Sequence, residues 1–142
     1  MNFSSINWLA VVACVIVSMI VGSIYFNPKT FFPMWWKAIG KKDNGDPGGS
    51  IPMGLMWGLT ILASLVQAVF MALLINAMGS MTSGGATLGS GAMVGFFLWL
   101  GFVVPSSLTN KLFAGQLKAW MIEMGNHLIT FVLFGAILGA WH

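Results

Sequence analysis

Charge is what this chain has least of. Only 6% of its 142 residues are charged, against roughly a quarter in an average soluble domain, and arginine is absent. That excludes a soluble globular protein. The six basic residues are all lysines, dispersed along the chain, which excludes the clustered basic face that nucleic-acid binding requires. A single cysteine, Cys14, excludes an intramolecular disulfide and paired-thiol redox chemistry within one chain. The three acids and two histidines do not supply the three or four converging ligands of a metal site. No glycine-rich phosphate loop is present, nor any Ser, His and Asp set for acyl transfer. The expectation is a protein that is not an enzyme and uses no cofactor and no metal.

What the chain does have is apolar length. Runs over residues 6–26, 52–78, 90–109 and 119–141 are each long enough to cross a hydrocarbon core of about 30 Å at about 1.5 Å per residue. Four such spans need about 80 apolar positions, and 58% of 142 residues is about 82, so no room remains for a second domain. The fold class expected is an all-α integral membrane protein, residues 1–142 forming a single four-transmembrane-helix bundle. The first span, without a positive n-region or a small-residue cleavage site, reads as a retained helix. Lys29, Lys37, Lys41 and Lys42 lie between the first and second spans, and Lys111 and Lys118 between the third and fourth. The positive-inside rule then makes both loops cytoplasmic, with N-out/C-out topology in the cytoplasmic (inner) membrane.

The first loop interleaves aromatics with lysines, and Trp35, Trp36 and Lys37 suit a short interfacial segment at the membrane surface. An aromatic belt anchoring the first span explains the same composition, as does docking of a lipid or a partner. The stretch 41–49 reads as a solvated turn, and Asp43 and Asp46 lack the acidic twelfth position that a calcium loop needs. In the fourth span Glu123, Asn126, His127 and Thr130 sit at i, i+3, i+4 and i+7 on one helical face. The second span carries Thr60, Ser64 and Gln67 at i, i+4 and i+7. Counted from the cytoplasmic ends, Thr60 and His127 lie about 12 Å deep and Glu123 about 6 Å deep. The third span adds Asn110 at comparable depth. These residues predict a polar pocket in the cytoplasmic half of the bundle. Ionisable groups inside a membrane are costly and point to proton or ion handling, but a helix N-terminus also accommodates Glu123 electrostatically, and the amides and hydroxyls equally serve as interhelical hydrogen bonds.

Small residues recur four apart in every span, among them Gly91 with Gly95 and Gly135 with Gly139, and such spacings let helix backbones approach closely. They serve packing inside one bundle or, at the fourth span, an interface between subunits. Pro105 removes an amide and disturbs the Gly101 carbonyl, which predicts a kink. Asn27, Lys29, Phe32 and Lys37 after the first span loosely echo Asn110, Lys111, Phe113 and Lys118 after the third, the pattern of a parallel repeat.

Gly95-Phe-Phe-Leu-Trp-Leu-Gly-Phe-Val-Val, Leu108-Thr-Asn110-Lys-Leu-Phe-Ala-Gly115, Gly125-Asn-His127-Leu and Gly135-Ala-Ile-Leu-Gly-Ala-Trp141, with Ile6-Asn-Trp-Leu-Ala10 at the start, resemble the membrane family of unknown function numbered 1761. The similarity covers essentially the whole chain. In that family the first span tends to end in Trp-Tyr and a small residue before proline; here Tyr25-Phe26-Asn27-Pro28 departs from it. The resemblance implies a four-helix membrane fold, directs attention to Asn110 and His127, and implies no activity. The function expected is a homo-oligomeric transport or permeation unit in contact with membrane lipid. The alternative is a non-catalytic accessory subunit of a larger membrane complex.

Overall fold

Asn7 begins the first long helix by accepting from the amides of Leu9 at 3.1 Å and Ala10 at 3.4 Å, which satisfies donors that a helix start leaves free. The computed structural model describes residues 2–41 and 51–142. Its helices are α1 (Trp8–Tyr25), a short α2 (Phe32–Ala38), α3 (Met53–Ser80), α4 (Leu88–Leu98), α5 (Val104–Phe113) and α6 (Leu117–Ala140). Four stretches are long and apolar enough to span a membrane: Trp8–Tyr25, Met53–Ser80, Leu88–Phe113 and Leu117–Ala140. These coincide with the expected spans to within a few residues, and no strand occurs among the described residues. The solvated turn expected at 41–49, with Asp43 and Asp46, falls outside the described residues except for Lys41.

Pro105 does more than kink the third span. Between α4 and α5 the backbone widens into a π-helical turn over Trp99–Val103, where the Val104 amide reaches back to the Trp99 carbonyl. A proline that cannot donate to Gly101 makes that wider turn inexpensive. Gly115, at φ +70°, ends α5 in the left-handed conformation that glycine adopts without steric cost, and the chain turns directly into α6.

The sixth helix is the hub, packing against α1, α2, α3, α4 and α5. Phe134 is completely buried at its centre, with Val11 and Cys14 of α1 and Ile75 of α3 around it. The closest pairing is between α4 and α6. A methyl at Gly91 would overlap the Gly135 carbonyl, one at Gly135 would overlap the Gly91 carbonyl, and one at Gly95 would overlap the Phe131 carbonyl. Gly91, Gly95, Gly135 and Gly139 therefore join two helices of one chain. The fourth-span seam is consumed inside the bundle, a correction to the idea that it joins subunits, because only glycine lets these backbones meet. The two halves do not pack as a symmetric repeat: α1 lies along α6, whereas α4 barely meets α3.

Candidate functional site

The sequence places hydroxyls on both α1 and α3, and they define where the helices last touch: Ser18 Oγ lies 3.0 Å from Ser64 Oγ. Towards the lysine-bearing loops the two helices leave a gap. A side chain at Gly22, Gly54 or Gly58 would meet nothing within 4 Å, and Leu55, Trp57, Leu59 and Leu62 are exposed. The gap forms a cavity of about 480 Å³. Its walls are Ser18, Met19, Gly22, Ser23 and Phe26 of α1, Met56, Trp57, Thr60, Ala63, Ser64 and Gln67 of α3, and Asn126, His127 and Thr130 of α6. Phe32 and Trp35 of α2 border it at the loop end.

Six of the polar residues singled out from sequence thus line one cavity: Thr60, Ser64, Gln67, Asn126, His127 and Thr130. Two are internally satisfied, since Thr60 Oγ1 donates to Met56 O at 2.8 Å and Ser64 Oγ accepts from Ser18 Oγ at 3.0 Å. The side chains of Gln67, Asn126, His127 and Thr130 make no hydrogen bond among the described residues, and Asn126 Oδ1 is buried without a partner. Polar groups left unsatisfied in an apolar surrounding cost free energy unless water or a ligand pairs with them.

Glu123 and Asn110 do not line the cavity, which corrects their expected place in it. The Glu123 carboxylate is held by two neighbours: Lys111 Nζ at 3.1 Å and the Trp35 indole, which donates to Oε1 at 2.9 Å. With a cation within reach across the α5–α6 turn, the charge pairs there instead of facing the cavity. Lys111 also donates to Gln116 Oε1 at 3.3 Å, and Gln116 Nε2 donates to Ile39 O at 3.1 Å. Together these bonds fasten α2 to α5 and α6. Asn110 is exposed on α5.

Trp35 and Trp36 pack against the protein, Trp35 half-buried and Trp36 buried. Trp36 retains 9% exposure, stacked on Phe32 at 5.4 Å, while Lys37 stays exposed. Tyr25, Phe26, Phe31 and Trp35 continue this aromatic cap, with Tyr25 stacked on Phe31 at 4.6 Å and Phe26 edge-on to Trp35 at 5.4 Å. Sequence reasoning missed two anchors on α6. The Tyr25 hydroxyl donates to Ile122 O at 2.6 Å, over Gly125, where any side chain would strike it. The Trp99 indole donates to Met124 O at 3.0 Å. The available signal was the presence of polar-tipped aromatics in otherwise apolar spans, since such tips need partners when buried.

Among the described residues no three His, Cys, Asp or Glu side chains group closely enough to hold a metal ion. A smaller cavity of about 70 Å³, between the ends of α3 and α4 near Gly79 and Ser90, lies apart from the polar residues of the first.

These features define the class as a four-span, all-helical membrane protein with a polar-floored cavity on one side of its hub helix. Residues 9–139 match the family described as "Protein of unknown function (DUF1761)", and the chain belongs to that family. Searches of the curated proteins and of the solved structures found no match to it.

Proposed function

We propose that the protein is a non-enzymatic transport or permeation unit of the cytoplasmic membrane. It works as a homo-oligomer with its lysine loops in the cytoplasm and both termini outside, and the cavity between α1, α3 and α6 is the solute site. The observation that carries this reading is the set of four side chains, Gln67, Asn126, His127 and Thr130, with no hydrogen bond among the described residues, in a cavity of about 480 Å³. A purely structural polar stripe spends its hydrogen bonds on neighbouring helices; this one leaves them for something that enters. Glu123 serves the reading indirectly by holding Trp35 at the cavity border.

Flux in proteoliposomes tests it, followed with an entrapped pH dye for protons, by light scattering for small uncharged solutes, and by leaflet exchange of fluorescent amphiphiles. At least one flux should exceed that of protein-free vesicles and fall in His127→Leu. Rates equal to protein-free vesicles for all three overturn it.

A second reading, an accessory subunit of a larger membrane complex, draws on the α3 seam. Gly54 and Gly58 present a small-residue surface that none of the described residues covers, suited to another helix. Gentle extraction and native mass spectrometry separate the two, because unrelated subunits in fixed ratio favour the second and a homo-oligomer alone favours the first.

A further inference from the structure

We infer that the cavity takes an uncharged amphiphile that enters sideways from the surrounding leaflet: an apolar chain with a single hydroxyl or carboxamide head. The inference rests on the cavity being the working site. Three observations select this class.

The first is the absence of a counter-charge. Among the described residues no lysine and no acid lines the cavity, and the Glu123 carboxylate faces Lys111 and Trp35 instead. Among the described residues His127 is the one titratable side chain in the wall. A charged head drawn in there would lose its hydration without an opposite charge to replace it.

The second is depth. His127 and Gln67 lie ten and fourteen residues beyond the starts of α6 and α3, roughly 15 and 21 Å along the helices from the lysine-side ends. Lipid headgroups stay at the interface, so only a head that sheds water cheaply reaches these side chains. Once there, it meets both donors and acceptors in Gln67, Asn126 and Thr130.

The third is the wall itself. Met19, Phe26, Met56 and Trp57 supply apolar surface beside the polar floor, and Gly22, in the α1 wall, carries no side chain and faces open space, which leaves a lateral way in between α1 and α3. The volume of about 480 Å³ falls within the roughly 300–1,000 Å³ of small-molecule sites.

The test uses the full chain in proteoliposomes with three photoreactive probes of equal length: a diazirine-bearing dodecanol, the matching dodecanoate and the matching dodecyltrimethylammonium. Labelled residues are located by peptide mass spectrometry. The alcohol should label Met19, Met56 and Trp57 saturably, and unlabelled dodecanol should compete where the two charged amphiphiles do not. Thr130→Val, which keeps the side chain's shape, and His127→Phe should each raise the half-saturating concentration about tenfold. Non-saturable labelling of the lipid-facing Ile16 and Ile20 should stay unchanged and report intact insertion. Cavity labelling that rises linearly like that of Ile16, or equal competition by a charged probe, overturns the inference. These wild-type comparisons stand even if a variant fails to fold. Saturable binding without flux sinks only the transport reading, and flux with linear labelling sinks only the amphiphile.

Discussion

Trp35 and Lys111 converge on the same carboxylate oxygen of Glu123, at 2.9 and 3.1 Å, and that convergence decides what the residue is for. The two charged side chains are 22% and 19% exposed, too sheltered for the pair to count as a free surface ion pair and too open to count as fully buried. Removing Lys111 leaves a half-sheltered carboxylate with one neutral donor. Lys111→Met should therefore destabilise by about 1–2 kcal/mol, and Trp35→Phe, which keeps the ring and loses the donor, by about 1 kcal/mol. Thermal unfolding in detergent measures both. The Lys111→Met/Glu123→Gln double variant should lose about 1 kcal/mol less than the sum of its singles; strict additivity would mean that the two do not interact. Glu123 was conspicuous in the sequence as the single acid of any span, but its partner was not, because Lys111 comes within reach only after Gly115 reverses the chain.

At the scale of elements, two kinds of glycine seam look alike as letters and differ in space. Gly91, Gly95, Gly135 and Gly139 bring α4 and α6 into backbone contact, while Gly54 and Gly58 face no other described residue within 4 Å. Gly135→Ala drives a methyl into the Gly91 carbonyl and should cost at least about 2 kcal/mol. Gly58→Ala should change stability by less than about 1 kcal/mol, with helix propensity in its favour. A matched unfolding series reads both, and equal effects would refute the assignment of the seam. If Gly58→Leu leaves the monomer folded but breaks the oligomer, α3 is the face between subunits. The π-helical turn at Trp99–Val103 belongs to this scale too. Pro105 was legible as a disturbance, but the resulting turn and the Trp99 indole on Met124 O depend on where α6 lies.

For the whole molecule, the lysine distribution makes a prediction about sidedness that chemistry can check. Cys14 is the sole cysteine and is fully buried, so Cys14→Ala provides a silent background. Lys41→Cys should then react with a membrane-impermeant maleimide only from the cytoplasmic side, and Ser83→Cys, in the α3–α4 turn, only from outside. Reaction of both from one side would contradict the crossing of the membrane by α3, and the inverted pattern would contradict the orientation. Molecular architecture also explains the cavity. The α6 hub gathers α1 and α4 tightly, but the first part of α3 has no helix to lean on beyond the Ser18–Ser64 contact, so a gap opens at the lysine end.

By itself the sequence determined the membrane class, the number of spans and the polar face of α6. Hydropathy and the 3.6-residue period act locally, and they need no knowledge of neighbours. Six of the eight residues expected in a pocket share one cavity because depth along parallel helices follows from counting residues at a fixed rise. Only the tertiary structure decided which way charge and glycine were spent. Glu123 turns to Lys111 and Trp35, Trp35 and Trp36 pack onto the protein, and the fourth-span glycines close on α4 rather than on another subunit. The physical reason is that pairing and close approach depend on which surfaces of separate helices meet, and in a chain of apolar spans hydropathy does not distinguish one such surface from another.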